Sequence, residues 1–330
     1  MLSGWGKRGL IAAAICAALA AGCGSDDSDD SGDSGGSAQI DGTPPGELAL
    51  LVPEGAFSQI AEVDFARARS ALGLPATFDP RGGLEASGAE RRFAEAVLPT
   101  TPFYVGPQPI PIAEVLDGGL IQSAAAEGKG GASEVILVRT SQPFEQIADG
   151  LVKAGYKRRA RILNYTGNAD INSIRYPEVV AADGDDGLIA ISGEPTRGLA
   201  ALDAGPAAPD ARPELALLGQ LPDAPVRVAD AHVIGAGCAS IGVADQLADG
   251  AAELLVVVEG EDASEDALLL SKPGLELGEL DVSDDRITAT ITYPLDAEGS
   301  AAEAVTGGFG SDTYECEQDI LAPGTETAEP

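Results

Sequence analysis

The sequence carries a single histidine, His232, in 330 residues. That excludes metal centres built from several imidazoles and leaves one imidazole base at most. Aromatic residues make up only 4%, so a core must be assembled from Ala, Val, Leu and Ile. Sugar subsites, which draw on aromatic faces, have little to work with, and the sole tryptophan, Trp5, sits at the extreme N-terminus. Cations are scarce: 20 Lys and Arg stand against 53 Asp and Glu, a formal charge of −33. A surface this acidic repels nucleic acid and anionic headgroups, so no nucleic-acid partner is expected. The sequence also lacks a comfortable transmembrane run, because the apolar stretch from Leu10 to Ala21 falls short of the ~20 residues a spanning helix needs. Hydrophobic content is nevertheless 44%, enough for a globular core.

What is present is most explicit at the N-terminus. Lys7 and Arg8 precede the run from Leu10 to Ala21, which ends in Leu19-Ala20-Ala21-Gly22-Cys23. A basic start, a short apolar run and small residues at a cleavage point make a secretory signal over residues 1–22. Its removal takes away Lys7, Arg8 and no acid, leaving the remainder more negative still. Roughly 300 residues then remain, one large domain or two of ordinary size. From Gly24 to Ser37 only Ser, Asp and Gly follow. Without apolar groups such a run cannot repay its ordering entropy, so residues 23–46 read as an acidic tether.

The site around Cys23 resembles the bacterial lipobox, with Leu19 one place earlier than the usual leucine. The resemblance implies a cysteine acylated with diacylglycerol and a chain cut just before it. It places the protein on the extracytoplasmic face of the cell membrane, held by lipid at Cys23 and not by its surface charge. An ordinary secretory signal with an incidental cysteine is the alternative.

Cys16 leaves with the signal, so Cys238 and Cys316 remain as an even pair in an exported chain, where a disulfide is the default. A reactive or metal-binding thiol pair is the competing reading.

Along the body, Phe57 to Phe65 alternates like a strand, while Ala66 to Leu72 and Ala89 to Val97 have helical spacing. Four prolines between Thr101 and Pro111 exclude a central strand. Glu134 to Arg139 reads as a buried strand. A helix from Pro143 through Lys153 sets Phe144, Ile147, Ala148 and Leu151 on one face and stops at Gly155. Strands over Val179–Ala182 and Leu188–Ser192, then a helix from Pro195 to Asp203, complete a first α+β half at 47–205. Residues 206–225 are a proline-rich connection. The second half, 226–321, has a strand at Leu254–Glu259 and a hairpin of Leu277–Val282 with Arg286–Tyr293. In that hairpin Ile287, Ala289 and Ile291 face one way and Thr288, Thr290 and Thr292 the other. An Ala-rich helix is expected over Pro294–Thr306, and residues 322–330 are a polar tail. Strand, hairpin and small helix thus occur twice, and Val226–Asp230 echoes Ile60–Asp64; this is either a weak duplication or the ordinary grammar of α+β chains. The fold class predicted is α+β, mostly antiparallel sheets with short Ala-rich helices packed on one face.

Glu134 to Thr140, the helix Phe144 to Gly155, and Ala181 to Gly193 with its Asp183-Gly184-Asp185-Asp186-Gly187 turn resemble uncharacterised exported proteins of high-GC actinobacteria that carry a domain of unknown function. The resemblance covers the middle third and implies no activity.

Each candidate site has a plainer counterpart. Gly235-Ala236-Gly237-Cys238-Ala239-Ser240 half-matches a dinucleotide fingerprint before a helix over Val243–Ala248, or is a tight turn beside a disulfide. Residues 183–194, ending in Glu194, imitate a calcium loop, but Leu188 stands where glycine is required, and a hairpin turn fits better. His232 has no nucleophile elbow to serve, and no carboxylate pair stands out for glycosidase chemistry. Lys153 to Arg161 is the one basic island, either docking an anion or neutralising nearby acids. No cofactor, metal site or catalytic residue is assigned. The function expected is a lipid-anchored envelope protein with a non-catalytic binding or structural role, its small-molecule or protein partner unidentified. A solute-binding lipoprotein of an import system and an exported hydrolase are the alternatives.

Overall fold

The computed structural model describes residues 42–54, 57–76, 87–97, 104–105, 108–109, 112, 115–116, 119–128, 135–166, 178–182, 187–193, 195–230, 239–248, 251–258, 276–283 and 286–292. Six helices appear among them: α1 (Glu47–Leu50), α2 (Phe65–Ala71), α3 (Ala89–Val97), α4 (Phe144–Lys153), α5 (Pro195–Asp203) and α6 (Pro213–Leu218). The strands are β1 (Phe57–Asp64), β2 (Tyr104–Val105), β3 (Gln108–Pro109), β4 (Leu120–Gly128), β5 (Val135–Thr140), β6 (Tyr156–Arg159), β7 (Ile162–Tyr165) and β8 (Glu178–Ala181). They continue with β9 (Leu188–Ser192), β10 (Val226–Asp230), β11 (Ala239–Asp245), β12 (Ala251–Val258), β13 (Glu276–Ser283) and β14 (Arg286–Thr292).

Twelve strands form one sheet in the order β13-β14-β12-β11-β10-β1-β4-β5-β9-β8-β7-β6, and β2 pairs with β3 apart from it. Neighbours pair antiparallel throughout. The chain is therefore α+β with a mostly antiparallel sheet, as its patterning predicted. The stretches 60–64 and 226–230, alike in sequence, are adjacent antiparallel strands near the middle of this sheet, Val63 opposite Val226 and Ile60 opposite Ala229.

The helices cover both faces of the sheet, which corrects the expectation of one. Side chains alternate along each strand. Ala61, Val63, Ile136, Val138, Ile189 and Ile191 pack with α2, α3 and α4. Ile60, Ala124, Ala126, Val135, Leu137 and Ala190 pack instead with α1, α5 and α6. Continuous burial along β9, Leu188 to Ser192, follows directly from that double cover. The Ala residues of β4 let helices approach closely where aromatics are few. The few that exist are paired: Phe65 and Phe93 meet edge-on with centroids 6.4 Å apart, and Tyr156 and Tyr165, opposite each other on β6 and β7, at 5.3 Å.

Two further departures from expectation have local causes. The helix expected at Val243–Ala248 is β11 up to Asp245, because β10 and β12 flank it and hydrogen-bond both edges; tertiary pairing overrides the Ala-rich propensity. The proline-rich connection contains α6, entered through Pro213 at its first turn, a position where proline is tolerated. Its Leu215, Leu217 and Leu218 are buried. In the hairpin, Ile287, Ala289 and Ile291 are buried while Thr292 is exposed.

Candidate functional site

A cleft of about 240 Å³ lies where the N-terminal end of the body crosses the sheet. One wall is the segment Thr43, Pro44, Gly46 with Glu47 and Leu48; the others come from the end of β1, the start of α2, Gln122 and Ser123 of β4, and Asp223 to Arg227 entering β10. It brings together four carboxylates, Glu47, Glu62, Asp64 and Asp223, and two guanidiniums, Arg67 and Arg227.

Local structure positions each of them. Glu62 lies on β1 directly opposite Arg227 on β10. Two residues from Ile60, it falls on the sheet face covered by α1 and α6. The Arg227 Nη2 group donates to Glu62 Oε2 at 2.5 Å, with both side chains largely out of solvent. Arg227 also donates to backbone, Nη1 to the Thr43 carbonyl at 2.7 Å and to the Leu218 carbonyl at 3.5 Å, and Nη2 to the Pro44 carbonyl at 3.1 Å. The second carboxylate oxygen of Glu62 accepts the Gly46 N–H at 2.6 Å. Burial pushes the Glu62 carboxyl above its ordinary 4.5, against the pull of the Arg227 charge and the Gly46 hydrogen bond. Asp64 closes β1 and starts α2 without a loop, accepting the Arg67 N–H at 2.9 Å as a helix N-cap. The Arg67 side chain reaches Asp223 at 2.6 Å on the exposed rim, and Glu47 lies 3.4 Å from Arg139.

Gly46 comes close to this pair. Its backbone is ordinary, at φ −67°, but an added Cβ would stand 2.8 Å from Glu62 Oε1. The body accordingly begins before Glu47: the Thr43 N–H bonds the Leu221 carbonyl at 2.9 Å, on the α6 side of the sheet.

On the opposite face a second charged pair is fully enclosed. Arg92 Nη2 of α3 donates to Asp245 Oδ2 at 2.6 Å, and the Leu247 N–H donates to Asp245 Oδ1 at 2.8 Å. Neither side chain is appreciably exposed. Arg69 is buried nearby in chain order on α2, its Nη2 donating to the Leu120 carbonyl at 3.1 Å, and desolvation lowers its affinity for the proton. These groups tie helices to strands and are enclosed by the core.

The basic island forms the end of α4 and β6, at one end of the sheet. Arg158 makes a bidentate bond to Glu145, at 2.5 and 2.7 Å, and lies 5.2 Å from the centroid of the Phe144 ring. That bond holds the Glu145 carboxyl below its usual value. Arg161 pairs with Asp203 at 2.7 Å. Two of the island's cations thus neutralise neighbouring acids. Lys157 and Arg159 are exposed on β6.

Cys23, Cys238, Cys316, His232 and the acidic turn 183–186 lie outside the described residues. The dinucleotide fingerprint would have to open a helix, and the chain that follows it is β11, which removes that reading. Among the described residues no group of three or more His, Cys, Asp or Glu is placed to hold a metal. No helix there is long and apolar enough to cross a membrane. The sequence reading did not find Glu62 and Arg227. Their one legible signal was an ionisable residue inside each of two otherwise apolar strands, Ile60 to Val63 and Val226 to Ala229.

No known protein family and no curated protein matches the chain. Among solved structures, crystal form I of TP0453 superposes with a TM-score of 0.47 at 9% identity, covering 79% of this chain and 98% of that one. Crystal form III gives 0.45 at 9% identity, over 74% and 93%. Crystal form IV gives 0.41 at 10%, over 74% and 92%.

Proposed function

We propose that this is an exported lipoprotein anchored through Cys23, whose body serves a structural role or binds a protein partner without catalysing a reaction. The observation that supports non-catalytic use is the state of the cleft's charged groups. Glu62 is matched by Arg227, Asp223 by Arg67, Asp64 by the α2 backbone and Glu47 by Arg139. Groups committed to one another in this way position a wall and do not stand ready as nucleophile or general base. The anchor reading rests on the run Leu19 to Cys23 and on the Ser/Asp/Gly tether after it.

A second reading, a solute-binding lipoprotein serving an importer, is favoured by one feature. The cleft's lining, drawn from 43–48, Glu62 to Asp64, Arg67, 122–123 and 223–227, holds no aromatic side chain and both signs of charge. Polar groups converging from distant parts of the chain are what a small hydrophilic solute requires. Native mass spectrometry of the exported Cys23→Ser chain separates the two. A small molecule retained at unit stoichiometry, and lost in Arg67→Ala, is the solute-binding result. A bare mass that stays bare after addition of the medium's small-molecule fraction removes it and leaves protein partners.

A further inference from the structure

The basic island is accounted for by neither the cleft nor the core. Residues 153–161 carry five cations, Lys153, Lys157, Arg158, Arg159 and Arg161, and no acid, in a chain whose acids outnumber its cations by 53 to 20. They occupy β6, the last strand of the twelve, and the end of α4, which packs against it. Alternation along β6 sends Lys157 and Arg159 to one face of the sheet, opposite Asn164 and Ile162 of β7. Arg158 goes to the other face, toward Phe144 and Glu145 of α4. The edge therefore presents cations on both of its sides, with Val152 of α4, 47% exposed, next to Lys153 in sequence.

Neighbouring acids do not use up this charge. Glu145 is held by Arg158 and Asp203 by Arg161, and Asp149 of α4 attracts Arg158. Three acids against five cations leave a balance of +2. Lys153, Lys157 and Arg159 are exposed, and no acid among the described residues pairs with them. Lys153 has a local reason for its place, since a cation at a helix C-terminus complements the dipole. Lys157 and Arg159 have none on their own strand beyond keeping an edge from pairing with a second sheet.

We infer that the β6 edge, through Lys153, Lys157 and Arg159, docks on anionic phospholipid headgroups and sets the orientation of the anchored body. The inference rests on the Cys23 anchor: the lipid holds the chain at the bilayer, and the island decides which side of the body meets it. Reach allows this. A single cross-strand row joins Arg159 to Arg227 over seven strand spacings, about 34 Å at ~4.8 Å each. Arg227 holds the carbonyls of Thr43 and Pro44, and Cys23 precedes Gly42 by 19 residues. That length of chain extends to about 60 Å, so a bilayer holding Cys23 lies within range of the edge.

The chemistry favours a surface over a discrete ligand. The three cations stand on an open edge and not in the cleft. A small ligand is held by groups converging in a concavity, whereas a plane of phosphates needs only exposed charge within reach. Each basic residue at such a surface shifts the balance by about fivefold. A few suffice here because tethering raises the effective concentration. The acid-rich remainder of the surface is repelled by the same headgroups, which sharpens the preference for this edge.

The test is acetylation footprinting of the lipidated chain in phosphatidylcholine vesicles with and without phosphatidylglycerol. After Cys23 the chain has four lysines, Lys129, Lys153, Lys157 and Lys272, so two of them report on the island. Lys153 and Lys157 are expected to react severalfold more slowly on the anionic vesicles, relative to Lys129 and Lys272. The difference should disappear at ~0.5 M salt, where the screening length is about 4 Å. Lys157→Gln combined with Arg159→Gln removes two exposed cations and should lower the ratio of docked to undocked chain by about 25-fold, returning Lys153 to its rate on neutral vesicles. Equal rates on the two vesicles overturn the inference, as does equal slowing of all four lysines. Protection of Lys153 that requires other envelope proteins and not the anionic lipid also overturns it, and assigns the island to an acidic protein. Flotation with neutral vesicles reads the anchor separately. A chain that floats with unresponsive lysines keeps the anchor and loses this inference; one that fails to float, yet is protected at the island on anionic vesicles, does the reverse.

Discussion

Glu62 and Arg227 are direct cross-strand partners on β1 and β10, and their 2.5 Å contact joins parts of the chain 165 residues apart. The same guanidinium holds two carbonyls of the N-terminal segment. One pair therefore fastens three things together: the centre of the sheet, the entry to β10 and the segment 43–46 that precedes α1.

The first prediction concerns pH. A carboxyl raised above 4.5 in the folded state contributes stability that is fully present below that value and is lost as pH climbs through the raised one. Glu62→Gln removes that contribution. The stability of the parent minus that of Glu62→Gln should therefore fall between pH 4.5 and neutrality, read from urea midpoints across the range. Glu145, held below its usual value by Arg158, has the opposite sign: its contribution is present above the ordinary value and lost as pH falls beneath it. The stability of the parent minus that of Glu145→Gln should therefore be level above the ordinary value and shrink only on the acid side.

The enclosed pair Arg92–Asp245 makes a stability prediction. Asp245→Ala leaves a guanidinium buried without its counter-charge, and such breaks cost about 3–5 kcal/mol. Replacing both partners together, as Arg92→Met with Asp245→Leu, should recover most of the loss, since no buried charge is then stranded. Denaturant unfolding of the two variants measures the difference. A double variant as unstable as the single one would show that the Leu247 N–H bond to Asp245 carries the cost instead.

Gly187, just ahead of β9, has φ +112°, and a Cβ there would lie 2.3 Å from the Thr140 carbonyl oxygen. Its own carbonyl accepts the Thr140 N–H at 2.8 Å. Gly187→Ala must adopt a strained backbone and break that approach, with a loss of at least about 1 kcal/mol. A drop in thermal midpoint is the readout.

Two predictions concern the cysteines. Cys23→Ser should release the exported chain from the membrane fraction in unlipidated form, measured by partitioning and intact mass; retention unchanged from the parent would refute the anchor. Thiol counting on the denatured, unreduced mature chain should find neither Cys238 nor Cys316 free, and a free thiol at either position would refute the bridge.

Elements whose signal is local were legible from residues alone. The helices Ala89–Val97 and Pro195–Asp203 and the strand Leu188–Ser192 stand where periodicity and their bounding prolines and glycines put them. So does the helix ending at Lys153, with Phe144, Ile147, Ala148 and Leu151 buried. Strands whose residues have no β preference were not. The Ala-rich run of β4, the cationic β6 and the Ala/Gly-containing β11 are strands because neighbours hydrogen-bond them on either side or, at the sheet's end, on one. Short α6 inside a proline-rich stretch is a helix because three leucines find the core.

The sequence by itself determined the class, and it is the whole basis of the proposed address. A basic start, an apolar run, Cys23 and a Ser/Asp/Gly tether are contiguous features, and alternating apolar residues specify an α+β body with a largely antiparallel sheet. Only the tertiary structure decided that one sheet runs through both halves of the body, that helices cover it on two faces, and that Glu62 and Arg227 meet beneath the N-terminal segment. The reason is physical. Periodicity records which residues turn inward on one element, whereas register between strands far apart in the chain is set by turns, burial and pairing acting together, and no local window contains them.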